Sequence, residues 1–346
     1  MFSATGILCV HVRLCRSMSK LSNKLCKLVL FAHNTRMLLK IIVKPLFFLS
    51  FLSLLSCSEA SEPLPQAADN SKRVIAIGDI HSDIGVMQRV FRLAGATNVN
   101  DEWIGGELTI VQLGDLIGRS DDEREVLDFM FAIQEQAEQH GGKVHALIGN
   151  HEVMGGRVDN QAVGTNPFPA YVGMPGLNLD DPRLQRLAPN ERSRGAALMP
   201  GGPYAVRIAE FPTVLKLDDT IFVHGGVVPR WAEYGIENIN LDVSTWLRGD
   251  SAEPDSSQRV DDSDRVMWAR HFSSRVDNFT CLMLEESLRI LGAERMIVAH
   301  TRHREITSYC GNQLWATDTG MSRAFGGQIQ ILEMIDDEVT GILSLQ

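Results

Sequence analysis

Val74-Ile75-Ala76-Ile77-Gly78-Asp79-Ile80-His81 is a short apolar, β-branched run that ends in a glycine and then in two metal-capable side chains. Apolar residues at nearly every position mark a strand buried on both faces. The same pattern recurs four times. Residues 108–114 lead to Asp115, and residues 143–149 lead to Asn150-His151-Glu152. Residues 220–223 lead to His224-Gly225-Gly226, and residues 295–299 lead to His300. Helical periodicity fills two of the gaps. Residues 84–94 place Val86, Val90, Phe91, Leu93 and Ala94 near one face, and residues 122–139 place Val126, Leu127, Met130 and Ile133 similarly. Ser120 or Asp121 is the expected N-cap of the second helix. Strands alternating with helices give an α/β core, whose ligands gather beyond the carboxyl ends of the strands. All five groups fall there.

The tail differs. Residues 313–317, 328–335 and 339–345 read as strands, with Asp336-Asp337 as a hairpin turn. Three strands without helices suggest a second sheet packed on the first. Residues 154–202 lack periodicity and are rich in Gly, Pro and Asn, which marks a binding loop or lid.

Asp-x-His on an extended stretch aims both side chains at one ion, because alternate residues of a strand end share a face. Asp115 follows a neighbouring strand and could bridge two ions. Asn150 offers a carbonyl oxygen, and His224 and His300 offer imidazoles. Mixed nitrogen and oxygen donors suit Zn, Mn, Fe or Mg. A single Gly-Asp after a strand is usually a turn or cap; five such ends in one chain and in this order point to a metal site.

The motifs Gly78-Asp-Ile-His81, Gly114-Asp-Leu-Ile-Gly-Arg119, Gly149-Asn-His-Glu152, Val223-His-Gly-Gly226 and Ala299-His300 resemble those of calcineurin-like metallophosphoesterases, in particular the phosphoprotein-phosphatase branch. Phe211-Pro-Thr-Val-Leu215, Trp268-Ala-Arg270, Asp318-Thr-Gly-Met-Ser322 and Phe325-Gly-Gly327 resemble the Shewanella-like protein phosphatases, a group with bacterial tyrosine-active members. The resemblance implies a two-sheet β-sandwich flanked by helices, with a dimetal site at the strand ends. It implies that Asp79, His81 and Asp115 hold one divalent ion, and that Asp115, Asn150, His224 and His300 hold the other. Arg119 and Arg270 would bind phosphate oxygens with Asn150 nearby, and His151 would be the general acid. Glu152 would support the motif from behind. His303 is left out, because its spacing is one residue too long for a further ligand. The implied reaction is in-line attack on phosphorus by a hydroxide that bridges the two metals.

One position departs from the family pattern. Gly-Asp-x-x-Asp-Arg normally carries an Asp that orients the general-acid histidine; here it is Gly118. Either Asp121 or Asp122 replaces it from a shifted loop, or His151 lacks its carboxylate. A weakly supported acid suits a phenol leaving group of pKa about 10 better than an alkoxide. Phosphotyrosine or an aryl phosphate is therefore the expected substrate, and restoring Gly118→Asp is expected to help the more basic leaving groups.

Other chemistry fits less well. A cysteine-dependent phosphatase needs Cys-x5-Arg, but Ser287 and Ala316 stand at that distance from Cys281 and Cys310. A nucleotide or dinucleotide pyrophosphatase uses the same metal core, and turnover of ATP against a phosphopeptide separates the two. A degenerate metal-binding protein without turnover has only Gly118 in its favour.

Charge partitions the chain. Residues 1–56 hold eight basic residues and no acid, whereas the remainder holds 25 basic against 43 acidic, a balance of −18. Residues 1–57 read as a signal segment whose true start could be Met37, and 58–72 as a polar linker before a catalytic domain at 73–346. The apolar run before Cys57 is short for a membrane span of about 20 residues. Cys57 could carry a lipid, with cleavage near Ser58 or Ala60 as the alternative. The expected location is periplasmic or secreted, the chain monomeric, and its membrane contact limited to that anchor. An acidic body argues against nucleic-acid partners. Beyond Cys57 only Cys281 and Cys310 remain. They could pair in an oxidising compartment, but two cysteines are no disulfide framework, and the reading favours free, buried thiols.

Overall fold

The computed structural model describes residues 71–258 and 264–345. The expected signal segment, the possible anchor at Cys57 and nearly all of the expected linker lie outside the described residues.

β1 (Arg73–Ile77), β2 (Thr109–Gln112) and β3 (Lys143–Ala146) pair in parallel. The helices α1 (Ile84–Leu93) and α2 (Glu123–Gln139) make the crossovers. β9 (Gln330–Ile335) and β10 (Glu338–Ser344) extend this sheet antiparallel beyond β1, giving the order β10-β9-β1-β2-β3. The second sheet runs β4-β5-β6-β8-β7. Its strands are β4 (Val214–Leu217), β5 (Thr220–Val223), β6 (Arg295–Val298), β7 (Thr307–Tyr309) and β8 (Leu314–Ala316). Ala76, Val111, Leu113 and Leu332 from the first sheet meet Phe222, Ile297 and Ala299 from the second in a buried layer. Burying each larger side chain contributes about 1.5–3 kcal/mol. The other faces pack on helices through a larger apolar core.

The two-sheet α/β architecture is as expected, but the tail does not form a sheet of its own. β8 completes the second sheet and the β9–β10 hairpin completes the first. Alternation along these strands is a local property and cannot say which edge a strand joins. The hairpin does turn at Asp336-Asp337, both at positive φ. Asp122, not Ser120 or Asp121, precedes α2, and its side chain makes no capping bond.

Residues 154–202 follow the short α3 (Asn150–Gly156) as turns and 3-10 segments before α4 (Arg192–Leu198). None of them lines the cavity described below. Arg194, almost fully buried, donates to both carboxylate oxygens of Glu123 at 2.7 and 2.9 Å and to Asn160 Oδ1 at 2.6 Å. The Tyr171 hydroxyl donates to the same carboxylate at 2.8 Å. The segment is thus bolted to the first residue of α2 and buttresses the loop before it.

The two cysteines are bonded to each other. Cys281, in α5 (Asn278–Leu291), forms a disulfide with Cys310, just past β7, with their Cα atoms 5.4 Å apart. This corrects the expectation of free thiols. A separation of 29 residues carries no pairing signal. The fold brings the edge strand of the second sheet beside the helix.

Candidate dimetal site

The five strand ends converge. Asp79, His81, Asp115, Asn150, His151, His224 and His300 are all buried around one cavity floor. The cavity has a volume of about 410 Å³, and Arg119, Arg270, Arg302, Asp318 and Phe325 line its walls.

Two backbone features bring these side chains so close. His81, Asp115, Arg119 and His300 all have positive φ, between 51° and 66°. Such conformations cost on the order of 1–3 kcal/mol each and persist where surrounding structure over-determines them. Gly149 is the second feature. A Cβ there would overlap the Asp115 carboxylate and backbone, so only glycine lets the β3 end approach the β2 end. Glu152 locks that approach. Its Oε2 accepts from the amides of Asp115 (2.9 Å) and Gly149 (2.8 Å), and its Oε1 accepts from Ile117 (3.2 Å). Burial and the neighbouring Asp115 push the Glu152 carboxyl up to about 7.

Donor placement fits cations. His224 Nδ1 donates to the Leu113 carbonyl at 2.7 Å, which leaves the Nε2 lone pair free. Around that Nε2 lie Asn150 Oδ1 at 3.0 Å, His300 Nδ1 at 3.1 Å and Asp115 Oδ1 at 3.3 Å. So many polar atoms around one buried Nε2 call for a positive charge among them, which a proton on His224 or a bound cation supplies. His81 Nε2 lies 3.5 Å from Asp79 Oδ2 and 3.9 Å from Asp115 Oδ2. His300 Nε2 and Asp318 Oδ2 are buried without any hydrogen-bond partner.

The electrostatics agree. Burial works against the ionised Asp115, yet His224, His151 and His81 outweigh it and hold the carboxyl well below its usual range. Burial, Asp318 and Asp115 push Asp79 well above its usual range. Burial also opposes charge on His224, but Asp115 and Asp79 push it up to about 9. A negative potential this strong favours a bound cation. His81, Asp115 and His151 form one group able to hold an ion, and Asp115, His224 and His300 form another; Asp115 is common to both. Asp79 adjoins the first group through His81.

Arg119 and Arg270 stand exposed at the rim. The Arg119 amide donates to the Ala162 carbonyl at 2.9 Å, so the bolted 154–202 segment sets its place. Arg270 Nη1 donates to the His300 carbonyl at 3.2 Å and to Thr301 Oγ1 at 3.0 Å. Among the described residues neither arginine has a carboxylate partner, so Arg270 is not tied up in a surface ion pair.

A donor set suited to two metal ions, on a two-sheet α/β fold, sets the context for the family match. Residues 72–303 match the calcineurin-like phosphoesterase model. The chain belongs to the calcineurin-like phosphoesterases. Within them it is 30% identical over 320 residues to Shewanella-like protein phosphatase 2 of Arabidopsis thaliana, covering 83% of this chain and 81% of that one. It is 29% identical over 268 residues to Shewanella-like protein phosphatase 1 of Plasmodium berghei, covering 73% and 69%. Among solved structures, a cold-active protein-tyrosine phosphatase of a psychrophilic Shewanella shares the fold, with a TM-score of 0.62 at 20% identity over 80% of each chain. This phosphoesterase is therefore a hydrolase whose His and Asp groups suit a dimetal site.

Gly118 resolves one open alternative. Asp121 does not replace the missing family Asp, because its carboxylate accepts from Asn166 N (2.8 Å) and Thr165 Oγ1 (3.1 Å). Asp122 pairs with Arg323 at 2.7 Å. The His151 ring itself fills the space. A Cβ on Gly118 would overlap His151 Nδ1 and stand 2.8 Å from its Cε1. A side chain at Gly118 would therefore meet the ring, and Gly118→Asp could bring a carboxylate to His151 only with a shift of the imidazole.

Arg302, Asp318 and Phe325 escaped the sequence reading as individuals. Asp318 stands just past β8, an apolar strand leading to an acid, and that pattern was the signal that could have found it; Arg302 and Phe325 carry no such signal. Phe325 stacks edge-on against His81 with ring centres 5.3 Å apart.

Proposed function

We propose that this phosphoesterase is a phosphatase selective for phosphotyrosine or aryl phosphate monoesters. Asp79, His81 and Asp115 would hold one divalent ion, and Asp115, Asn150, His224 and His300 would hold the other. When bound, the two ions supply the Lewis acidity that makes water a nucleophile near neutral pH. The chain's own groups do the rest. Arg119 and Arg270 present guanidinium donors to the phosphate oxygens, where charge grows in the transition state. Arg270 is positioned for this by its tether to His300 and Thr301. With Nδ1 against Gly118, His151 turns Nε2 toward the site, 3.8 Å from Asp115 Oδ2. That nitrogen carries the proton for the leaving oxygen.

The observation that carries the aryl preference is the His151 ring lying on Gly118, with no carboxylate beside its Nδ1 among the described residues. Burial pushes this imidazole down to about 3. A neutral ring without a carboxylate behind it is a weak acid. A phenolate leaves with little help, whereas a serine alkoxide needs nearly full protonation. The names of the Shewanella-like relatives support protein substrates. The test is the ratio of kcat/KM on a phosphotyrosine peptide and its phosphoserine counterpart, with Mn²⁺ or Zn²⁺ supplied. Equal values would refute the preference.

The reading extends to location. The acid-free basic leader and the Cys281–Cys310 disulfide both favour export to an oxidising compartment, periplasmic or extracellular, where Cys57 could carry a lipid. Mass spectrometry of the mature N-terminus decides between lipidation and ordinary cleavage.

A further inference from the structure

A second cavity of about 380 Å³ adjoins the metal site. The two share Arg302 and Phe325 as walls. Arg302 lies over the Phe325 ring, its Cζ 4.1 Å from the ring centre, and Arg119 lies 5.9 Å from the same centre. Phe325 is thus a ridge with the phosphate-facing arginine on one approach and Arg302 on the other.

The lining of the second cavity is unusual for this protein. It holds Arg302, His303 and Arg304 and no carboxylate, in a body whose balance is −18. Exposed arginines elsewhere divide: Arg183, Arg289 and Arg323 each have an acidic partner, whereas Arg89, Arg248 and Arg275 have none among the described residues. Arg302 and Arg304 are also exposed, and neither has a carboxylate partner among the described residues. His303 Nε2 is buried there without a hydrogen bond. Unneutralised cations around a concave space next to a phosphate site form a receptor for an anionic group.

We propose that this basic groove is a specificity subsite for an acidic side chain in the same peptide as the phosphorylated residue. The inference rests on the phosphatase reading above. Because Arg302 borders both cavities, the acidic residue lies within about two positions of the phosphorylated one, at about 3.3 Å per residue of extended chain. Phe325 separates the two anions, and Arg302 and Arg304 form charge-assisted hydrogen bonds to the carboxylate. The acidic surface elsewhere repels such peptides, so the groove also fixes the direction of approach.

The test uses the full chain with Mn²⁺ and two phosphotyrosine peptides, one with Asp flanking the phosphotyrosine and one with Ala. Affinities are measured by titration calorimetry on the His151→Asn variant, which needs no turnover, and kcat/KM on the unaltered enzyme. The Asp peptide is expected to bind roughly tenfold more tightly at low salt, with the advantage shrinking as salt screens it. Arg304→Gln should cut the ratio of the two affinities several-fold, and Arg302→Gln with Arg304→Gln should bring it to one. Equal affinities in the starting protein, failure of both peptides to bind, or a preference that survives the double substitution overturns the subsite. Loss of turnover on every phosphoester with calorimetric preference intact would instead count against the phosphatase reading alone.

Discussion

Gly118→Ala is the sharpest probe of the site, because one methyl group separates packing from chemistry. At φ +85° an L side chain costs about 1–2 kcal/mol by backbone strain. The new Cβ also overlaps His151 Nδ1 and stands 3.0 Å from the Ala162 carbonyl oxygen. The carbonyl is backbone, hydrogen-bonded to the Arg119 amide, and cannot yield. The imidazole can, by turning off its rotamer at about 1 kcal/mol. The fold therefore survives with a loss of about 2–3 kcal/mol, or roughly 5–10 °C in Tm for a domain this size. Catalysis takes the larger loss, since the proton donor has left its place. General-acid catalysis is worth about 10²–10⁴, and an aryl ester draws on less of it. The expectation is a kcat loss of about tenfold on p-nitrophenyl phosphate and of a hundredfold or more on a phosphoserine peptide. Gly118→Asp should behave no better. The assay is steady-state turnover of both substrates beside a thermal melt. Wild-type kcat with an unchanged melt, or a gain in phosphoserine turnover for Gly118→Asp, would refute the placement of His151 over Gly118.

Four further outcomes follow from the same structure. His151→Asn should lower phosphoserine turnover at least tenfold more than aryl phosphate turnover, and equal losses on the two would remove the basis for the aryl preference. Chelation should abolish activity and lower Tm, and added Mn²⁺ or Zn²⁺ should restore both, with about 2.7 kcal/mol of stabilisation at a hundredfold excess over Kd; a melt indifferent to metal would count against a site built from the buried carboxylates and histidines. Arg194→Met strands the buried Glu123 carboxylate and should cost about 3–5 kcal/mol, read as a Tm drop on the order of 10 °C. Reducing Cys281–Cys310 or replacing both with Ser should lower stability by about 3–4 kcal/mol for a loop of 29 residues, without changing KM.

Local chemistry made most of the site legible before any coordinates. A run such as residues 74–81 contains its own explanation: apolar residues on both faces bury the strand, and the polar end must then face a ligand. Asp79, His81, Asp115, Asn150, His224 and His300 are each fixed by one strand end, so one-dimensional pattern suffices to nominate them. The two-sheet class followed from alternation, and the family from the order of the motifs.

What the pattern could not carry was anything set by contact between distant segments. β8 and the β9–β10 hairpin read equally well as a separate sheet, because alternation specifies a buried face but not a neighbouring strand. The anchoring of residues 154–202 was equally hidden, since the Arg194–Glu123–Asn160 bonds that bolt them down join positions far apart in sequence. Cys281 and Cys310 carried no pairing signal until the fold set their Cα atoms 5.4 Å apart. Gly118 is the clearest case. In sequence it is a missing carboxylate that invites replacement; in the tertiary structure it is the space that a histidine ring occupies. The sequence by itself nominated the residues that would hold a metal, because each strand end aims its own side chain. Only the tertiary structure decided how His151 is supported and which cations at Arg302 and Arg304 stand unpaired, because both depend on what the rest of the chain places beside them.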